Sequence, residues 1–198
     1  MLEVNFTEAI EVLRKGEVLI YPTETLYGLG VDIHNPVAVQ KIFQLKNRDI
    51  SKPISLLVPT KKDIQKLVQQ LSDKSLKLID KFFPGPLTLV LPVAPTINPI
   101  LHANSGWIGI RMSSHPLAQK LVETFGGPIT TTSANPSGES SGRTLAQLKE
   151  YFHEQKGIAV LSGGDLSLSK GSTVVKVDGE QLKLLREGEI PFREIENV

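Results

Sequence analysis

Cations and hydroxyls recur in the polar stretches between the apolar runs of this 198-residue chain. Lys46, Arg48, Lys52, Arg143 and Arg186 could gather around a polyphosphate, and Thr25, Thr131 and Ser172 could bind a small polar ligand. A hydrogen bond to a charged group contributes ~1.5–3 kcal/mol. A handful of them, with burial of a ring, is enough for a micromolar nucleotide site. Residue types and charge by themselves reach no further than a phosphate-friendly cleft.

The stretch that organises these residues is Ile129-Thr130-Thr131-Thr132-Ser133-Ala134-Asn135-Pro136-Ser137-Gly138. Its β-branched start reads as a short buried strand. Its small polar end reads either as a plain turn or as donors at the carboxyl end of a strand, where open α/β sheets bind ligands. Pro22-Thr23-Glu24-Thr25-Leu26-Tyr27-Gly28-Leu29-Gly30 follows the apolar run Val18–Tyr21. It reads either as a wide turn or as a site whose glycines permit close approach of a ligand. Lys46 to Lys52 holds three cations between a helix and the apolar run Ile54–Val58. That cluster fits a solvated face, or a loop holding charge over a cleft.

Elements must position these side chains. Phe6, Ile10 and Leu13 keep helical spacing behind Thr7 or Asn5 as cap, with Gly16 as the stop. Further helices are expected over Val37–Lys46, after Thr60, after Ser72, from Pro116, and from Thr144. Strands are expected at Val18–Tyr21, Ile54–Val58, Leu87–Leu91, Trp107–Met112, Ile129–Thr132 and Ile158–Leu161, with a hairpin about Asp178-Gly179. Pro95–Ser105 and Ser162–Gly171 read as loops, the second flexible, and the tail from Glu187 as weakly docked. The expected fold is α/β, a single domain over residues 1–198 with helices around its sheet.

Other chemistries lose their footing. The chain has no cysteine, which removes thiolate metal sites, disulfides and a cysteine nucleophile. His34, His102, His115 and His153 lack metal-ligand spacing. Lys170-Gly171-Ser172 is not a P-loop, since Ser169 stands where the glycine should. Gly28-Leu29-Gly30 lacks the third glycine of a dinucleotide fingerprint, and no G-x-S-x-G occurs. A net charge of +1 argues against broad nucleic-acid or membrane binding. The first residues do not form a secretory signal, and no apolar run approaches the ~20 residues that span a bilayer. A cytoplasmic protein is the expectation.

Five blocks together resemble the YrdC family. They are Tyr21–Gly30, Leu45-Lys46-Asn47-Arg48, Ile110–Leu117, Thr132-Ser133-Ala134-Asn135, and Ser172–Val175 with Leu185-Arg186-Glu187-Gly188. The blocks keep family order, and K-x-R followed far downstream by S-x-N is the hallmark pair. The resemblance implies a twisted mixed sheet around a positively charged concave cleft. It implies threonylcarbamoyl-adenylate synthesis, a nucleotidyl transfer in which L-threonine, bicarbonate and ATP give the adenylate and pyrophosphate, with Mg²⁺ assisting. The product would feed downstream proteins that transfer the threonylcarbamoyl group to tRNA. By resemblance Lys46 and Arg48 would be catalytic. They and Lys52 would face the phosphates, and Ser133, Asn135, Ser141 and Arg186 would contact the nucleotide; Arg143 joins them on charge and position alone. Thr23, Thr25, Thr131 and Ser172 would bind L-threonine, and Arg111 would pair with its carboxylate.

The sequence departs from the family pattern in two places. Leu57 stands where many members carry a histidine, and Asp49 stands where a proline usually follows K-x-R. The second domain of longer members is not expected in these 198 residues. Direct binding of tRNA or double-stranded RNA without catalysis, or a related adenylate-forming reaction, are the alternatives that the same fold would allow.

Overall fold

A computed structural model of the chain describes residues 1–153 and 155–198. Among these, ten strands form one sheet in the order β1-β8-β2-β3-β7-β4-β6-β5-β9-β10. The strands are β1 (Leu2–Val4), β2 (Val18–Pro22), β3 (Tyr27–Gly30), β4 (Ser55–Leu57) and β5 (Leu87–Pro92). They continue with β6 (Trp107–Arg111), β7 (Ile129–Ser133), β8 (Ile158–Leu161), β9 (Thr173–Asp178) and β10 (Gln181–Arg186). The sheet is mixed. β8 runs parallel to β1 and β2, β4 to β6 and β5 to β9, while β3 runs against both β2 and β7.

The helices are α1 (Phe6–Arg14), α2 (Pro36–Lys46), α3 (Lys61–Leu67), α4 (Asp73–Phe82), α5 (Pro99–His102), α6 (Pro116–Phe125), α7 (Leu145–Phe152) and α8 (Phe192–Glu196). Asn5 caps α1 in a capping box, which decides between the two caps the sequence offered. Asn35, Thr60, Ser72, His115 and Thr144 cap α2, α3, α4, α6 and α7. Each leaves a side-chain acceptor on an otherwise orphaned N–H of the first turn.

Two apolar clusters cover the sheet. Ala9, Ile10 and Leu13 of α1 and Ala118, Leu121 and Val122 of α6 share one with Leu19, Tyr21, Leu57 and Ile129. Residues of α2, α3, α4 and α7 share the other with Val18, Ile20, Leu56, Leu89 and Ile110. Neighbours in one strand thus join opposite clusters, as the two-residue period of a strand requires. Because both faces are covered, all of β2 is buried. No helix among the described residues is long and apolar enough to cross a membrane.

Several expectations need correction. Tyr27–Gly30 is a strand rather than a turn, because β2 and β7 flank it and satisfy its backbone. Pro22 ends β2 and sits opposite Tyr27 as the last pair of the β2–β3 ladder. β1 was not foreseen; its three residues are held by β8 alone. The loop 95–105 contains α5, started by the Asn98 cap and Pro99. The tail does not dock weakly. α8 buries Ile195 completely, and Ile190 lies against the same cluster.

Candidate functional site

A cleft of about 210 Å³ lies over the middle of the sheet. The carboxyl half of β7 contributes Thr131, Thr132 and Ser133, as a strand ending in small hydroxyls suggested. Ser55 comes from the start of β4, opposite Thr131 in register. Thr88 comes from β5, Arg111 from the end of β6, Ser172 from just before β9, and Arg186 from the end of β10. The segment before β3 adds Thr23 and Thr25, and the loop after α2 adds Arg48.

Gly109 shows how tightly this floor is packed. A Cβ there would press on Ser55 Oγ and come within 3.3 Å of Thr88 Cγ2. β6 therefore has to pass beneath two cleft-facing side chains with no side chain of its own at that point.

The electrostatic centre is an ion pair that sequence reasoning missed. Arg111 Nη2 lies 3.0 Å from Glu24 Oε1, with both side chains largely buried. The same nitrogen donates to Thr25 Oγ1 at 2.8 Å, and the Ser113 hydroxyl donates to Glu24 Oε2. Burial alone would raise the Glu24 pKa. The Arg111 charge and the Ser113 hydroxyl outweigh it and hold the carboxyl below its usual value. The signal was present: Glu24 is the one acid between the two threonines of the Thr23–Thr25 stretch.

Proton counting fixes the hydroxyls. Thr23 Oγ1 donates its single hydrogen to Leu26 O at 2.6 Å. In the 3.1 Å contact between the two threonines, Thr25 must then be the donor. Thr25 Oγ1 also accepts from Arg111, so its remaining lone pair is an acceptor toward the cleft. The backbone amides of Thr25 and Leu26 also point at Thr23 Oγ1, three donors for two lone pairs, so Thr23 keeps no free acceptor for the cleft. Across the cleft, Arg186 Nη2 donates to Ser172 O at 2.8 Å and to Ser172 Oγ at 3.1 Å. Ser172 Oγ shares a further bond of 2.9 Å with Thr88 Oγ1.

The structure brings Arg48, Thr23, Thr25, Arg111, Thr131, Ser133, Ser172 and Arg186 to one lining. It places the other candidates elsewhere. Lys46 and Asn135 are buried behind the lining, and Lys52 is exposed. Ser141 is partly buried and outside it, while Arg143 donates to Ser169 O at 3.1 Å and thereby ties down the loop 162–171. That loop, expected to be flexible, is also held by Tyr27, whose hydroxyl donates to Gly164 O at 2.7 Å, and by Glu189, which accepts from Ser169 and Lys170. Leu57 is fully buried in the cluster of α1 and α6, so packing closes the sheet at that position. Asp49 is exposed and accepts from Ser51 N, which stabilises the loop 49–52 and lowers its pKa.

Residues 11–188 match the Sua5/YciO/YrdC family model, which carries the description telomere recombination. The chain belongs to the Sua5/YciO/YrdC family. A threonylcarbamoyl-AMP synthase of Photobacterium profundum is 39% identical over 161 residues, covering 80% of this chain and 86% of the relative. The Bacillus subtilis protein of the same name is 35% identical over 98% of this chain, which spans 56% of that relative. Among solved structures, P. abyssi Sua5 complexed with L-threonine superposes with a TM-score of 0.91 at 32% identity. The match covers 97% of this chain and 56% of that one, so the Sua5 chain is nearly twice as long. E. coli YciO, at 24% identity and a TM-score of 0.86, shares the fold.

Proposed function

We propose that this chain is a threonylcarbamoyl-AMP synthase, a nucleotidyltransferase that converts L-threonine, bicarbonate and ATP to threonylcarbamoyl-adenylate and pyrophosphate. The observation that carries the reading is a single cleft with Arg48, Arg111 and Arg186 facing a cluster of threonine and serine hydroxyls. The names of the Photobacterium and Bacillus relatives support it, and the threonine complex of Sua5 supports the amino acid as ligand.

The threonine amine condenses with bicarbonate to a carbamate, with loss of water. A carbamate oxygen then attacks the α-phosphorus of ATP, and the bond to the bridging oxygen breaks to release pyrophosphate. The residues here position and neutralise. Arg111, fixed by Glu24, has the fork of donors that suits the threonine carboxylate. Thr25 offers an acceptor to an N–H or O–H of the same ligand. Arg48 and Arg186 line the same cleft, and fixed charges of this kind stabilise charge that develops in the transition state. Thr131, Ser133 and Ser172 complete the polar lining.

Mg²⁺ fits this site as a companion of the nucleotide. Among the described residues no three His, Cys, Asp or Glu side chains cluster to hold a metal, and Glu24 is committed to Arg111. Mg²⁺ commonly takes substrate phosphates and waters as most of its ligands, and there it neutralises phosphate charge. Residues 1–198 act as one domain, since one sheet joins both ends of the chain. On this reading the chain works in the cytoplasm, and proteins that modify tRNA consume its product.

The test is pyrophosphate release from ATP with Mg²⁺ and bicarbonate, with and without L-threonine, alongside mass detection of the adenylate. Threonine-dependent release with the expected adduct is the predicted result. Release indifferent to threonine, or none from folded protein, would refute the reading.

A further inference from the structure

The K-x-R pair divides its labour, and the helix end makes the division. Lys46 is the last residue of α2, and Asn47 after it adopts φ 48°, a left-handed conformation that asparagine tolerates. The chain reverses there, and Arg48 N donates to Phe43 O at 2.9 Å. Lys46 is consequently directed inward and is only 2% exposed, while Arg48 lines the cleft.

Lys46 spends its donors on one turn. Its Nζ donates to Ser133 O at 2.5 Å, to Asn135 O at 2.6 Å and to Asn135 Oδ1 at 3.4 Å. An ammonium carries three N–H bonds, so none is left over for a phosphate. The tie is mutual, because Ser137 N donates to Lys46 O at 2.9 Å. The clamped turn is itself a hub. Ala134 N donates to Tyr27 O, Gly142 N to Ala134 O, and Asn135 Nδ2 to Pro136 O and Glu139 O. Ser133, at its start, faces the cleft.

We propose that Lys46 is a positioning residue that clamps the turn Ser133–Ser137 from behind, and that Arg48 alone delivers the pair's charge to the cleft. Burial, with a smaller contribution from Arg48, pushes the Lys46 ammonium down to about 7. A neutral amine keeps two N–H bonds, so the two short carbonyl contacts survive in either state. S-x-N and K-x-R thus form one device. The turn supplies the acceptors, the lysine holds them, and the nucleotide-facing surface is shaped as a result. The consequence for nucleotide binding rests on the synthase reading; the clamp itself does not.

The test compares wild type with Lys46→Met and Lys46→Arg in two measurements. Amide hydrogen exchange of the ligand-free protein reads the clamp. In Lys46→Met, exchange at Ala134, Ser137 and Gly142 should rise at least ~10-fold relative to amides of β2 and β8. Lys46→Arg, which keeps donors and reach, should fall between and covers the case in which the methionine variant does not fold. Binding of AMP, ADP and ATP reads the role. A clamp predicts the same fold-loss for all three nucleotides. A loss that grows from AMP to ATP, with exchange unchanged, would make Lys46 a phosphate ligand and overturn the proposal. Failure of the wild type to bind any adenine nucleotide would sink the synthase reading instead, and the exchange data would still decide the clamp.

Discussion

Replacing Arg111 by methionine strands a buried carboxylate. At 3.0 Å, an effective dielectric of about 20 gives the Arg111–Glu24 pair a gross attraction of ~5–6 kcal/mol. Desolvation of both groups offsets much of that, so the pair's net contribution is small, but removing one partner exposes the full cost of the other. Breaking a buried pair in this way costs ~3–5 kcal/mol. For a chain of this size each kcal/mol moves Tm by roughly 2–4 °C, so Arg111→Met should lower Tm by about 6–20 °C. Glu24→Gln should cost less, since the amide can still meet Ser113 and the arginine keeps its bond to Thr25.

A double-mutant cycle separates stability from function. In the pair Glu24→Gln with Arg111→Met no stranded charge remains, so urea denaturation should show it more stable than the additive sum by at least ~1.5 kcal/mol. Threonine-dependent pyrophosphate release should nevertheless stay lost, because the fork that would hold the carboxylate is gone. Additivity to within ~0.5 kcal/mol would refute the claim that this pair is energetically coupled. Recovery of turnover in the double variant would refute the role of Arg111 toward the substrate.

Three further outcomes follow from the same geometry. The Glu24 carboxyl is held below its usual 4.5, so it adds stability above that value and loses it as pH falls through the folded value; acid titration of Glu24→Gln, followed by circular dichroism, should lack that part of the wild-type loss. Lys46 is also shifted down, from 10.5 to about 7, so the unfolded chain binds more protons in between and stability should rise with pH across that window; Lys46→Met should flatten the rise in urea midpoints. Arg48→Ala and Arg186→Ala should each lower turnover about 10²–10³-fold. Arg186→Ala should also raise the KM for threonine by releasing Ser172, a split that steady-state kinetics would reveal.

What could be read in the sequence was local, and what escaped was set by neighbours in space. The caps Asn5, Thr60, Ser72 and Thr144 were legible because a cap needs only its own first turn. β3 was not, because Gly28 and Gly30 look like turn residues until Tyr21 is seen beside them. A Cβ at Gly30 would come within 2.8 Å of the Tyr21 ring and 2.9 Å of Ile129. The glycines admit a close approach, as their type suggested, but the Tyr21 ring is what approaches. α8 carried a readable signal, apolar Ile190, Phe192 and Ile195 around Pro191, which the charge of the tail concealed.

The candidate site was legible as a set of residue types and less so as an arrangement. Grouping cations by charge gathered Lys46 and Arg48 around one polyphosphate, although side chains two apart at a helix end do not share a side. The resemblance put Thr23 beside Thr25 in the threonine set, although only one of them has a lone pair left for a ligand. In both cases the distinction comes from counting hydrogens. A buried donor must have an acceptor, and once each partner is assigned the number of free groups is fixed. Composition counts charges, but the cleft's chemistry depends on the donors and acceptors that remain after the fold has used its own. By that count Arg48, Arg111 and Arg186 are the cations at the cleft surface, and Glu24 and Lys46 hold the arginine and the turn on which the surface depends.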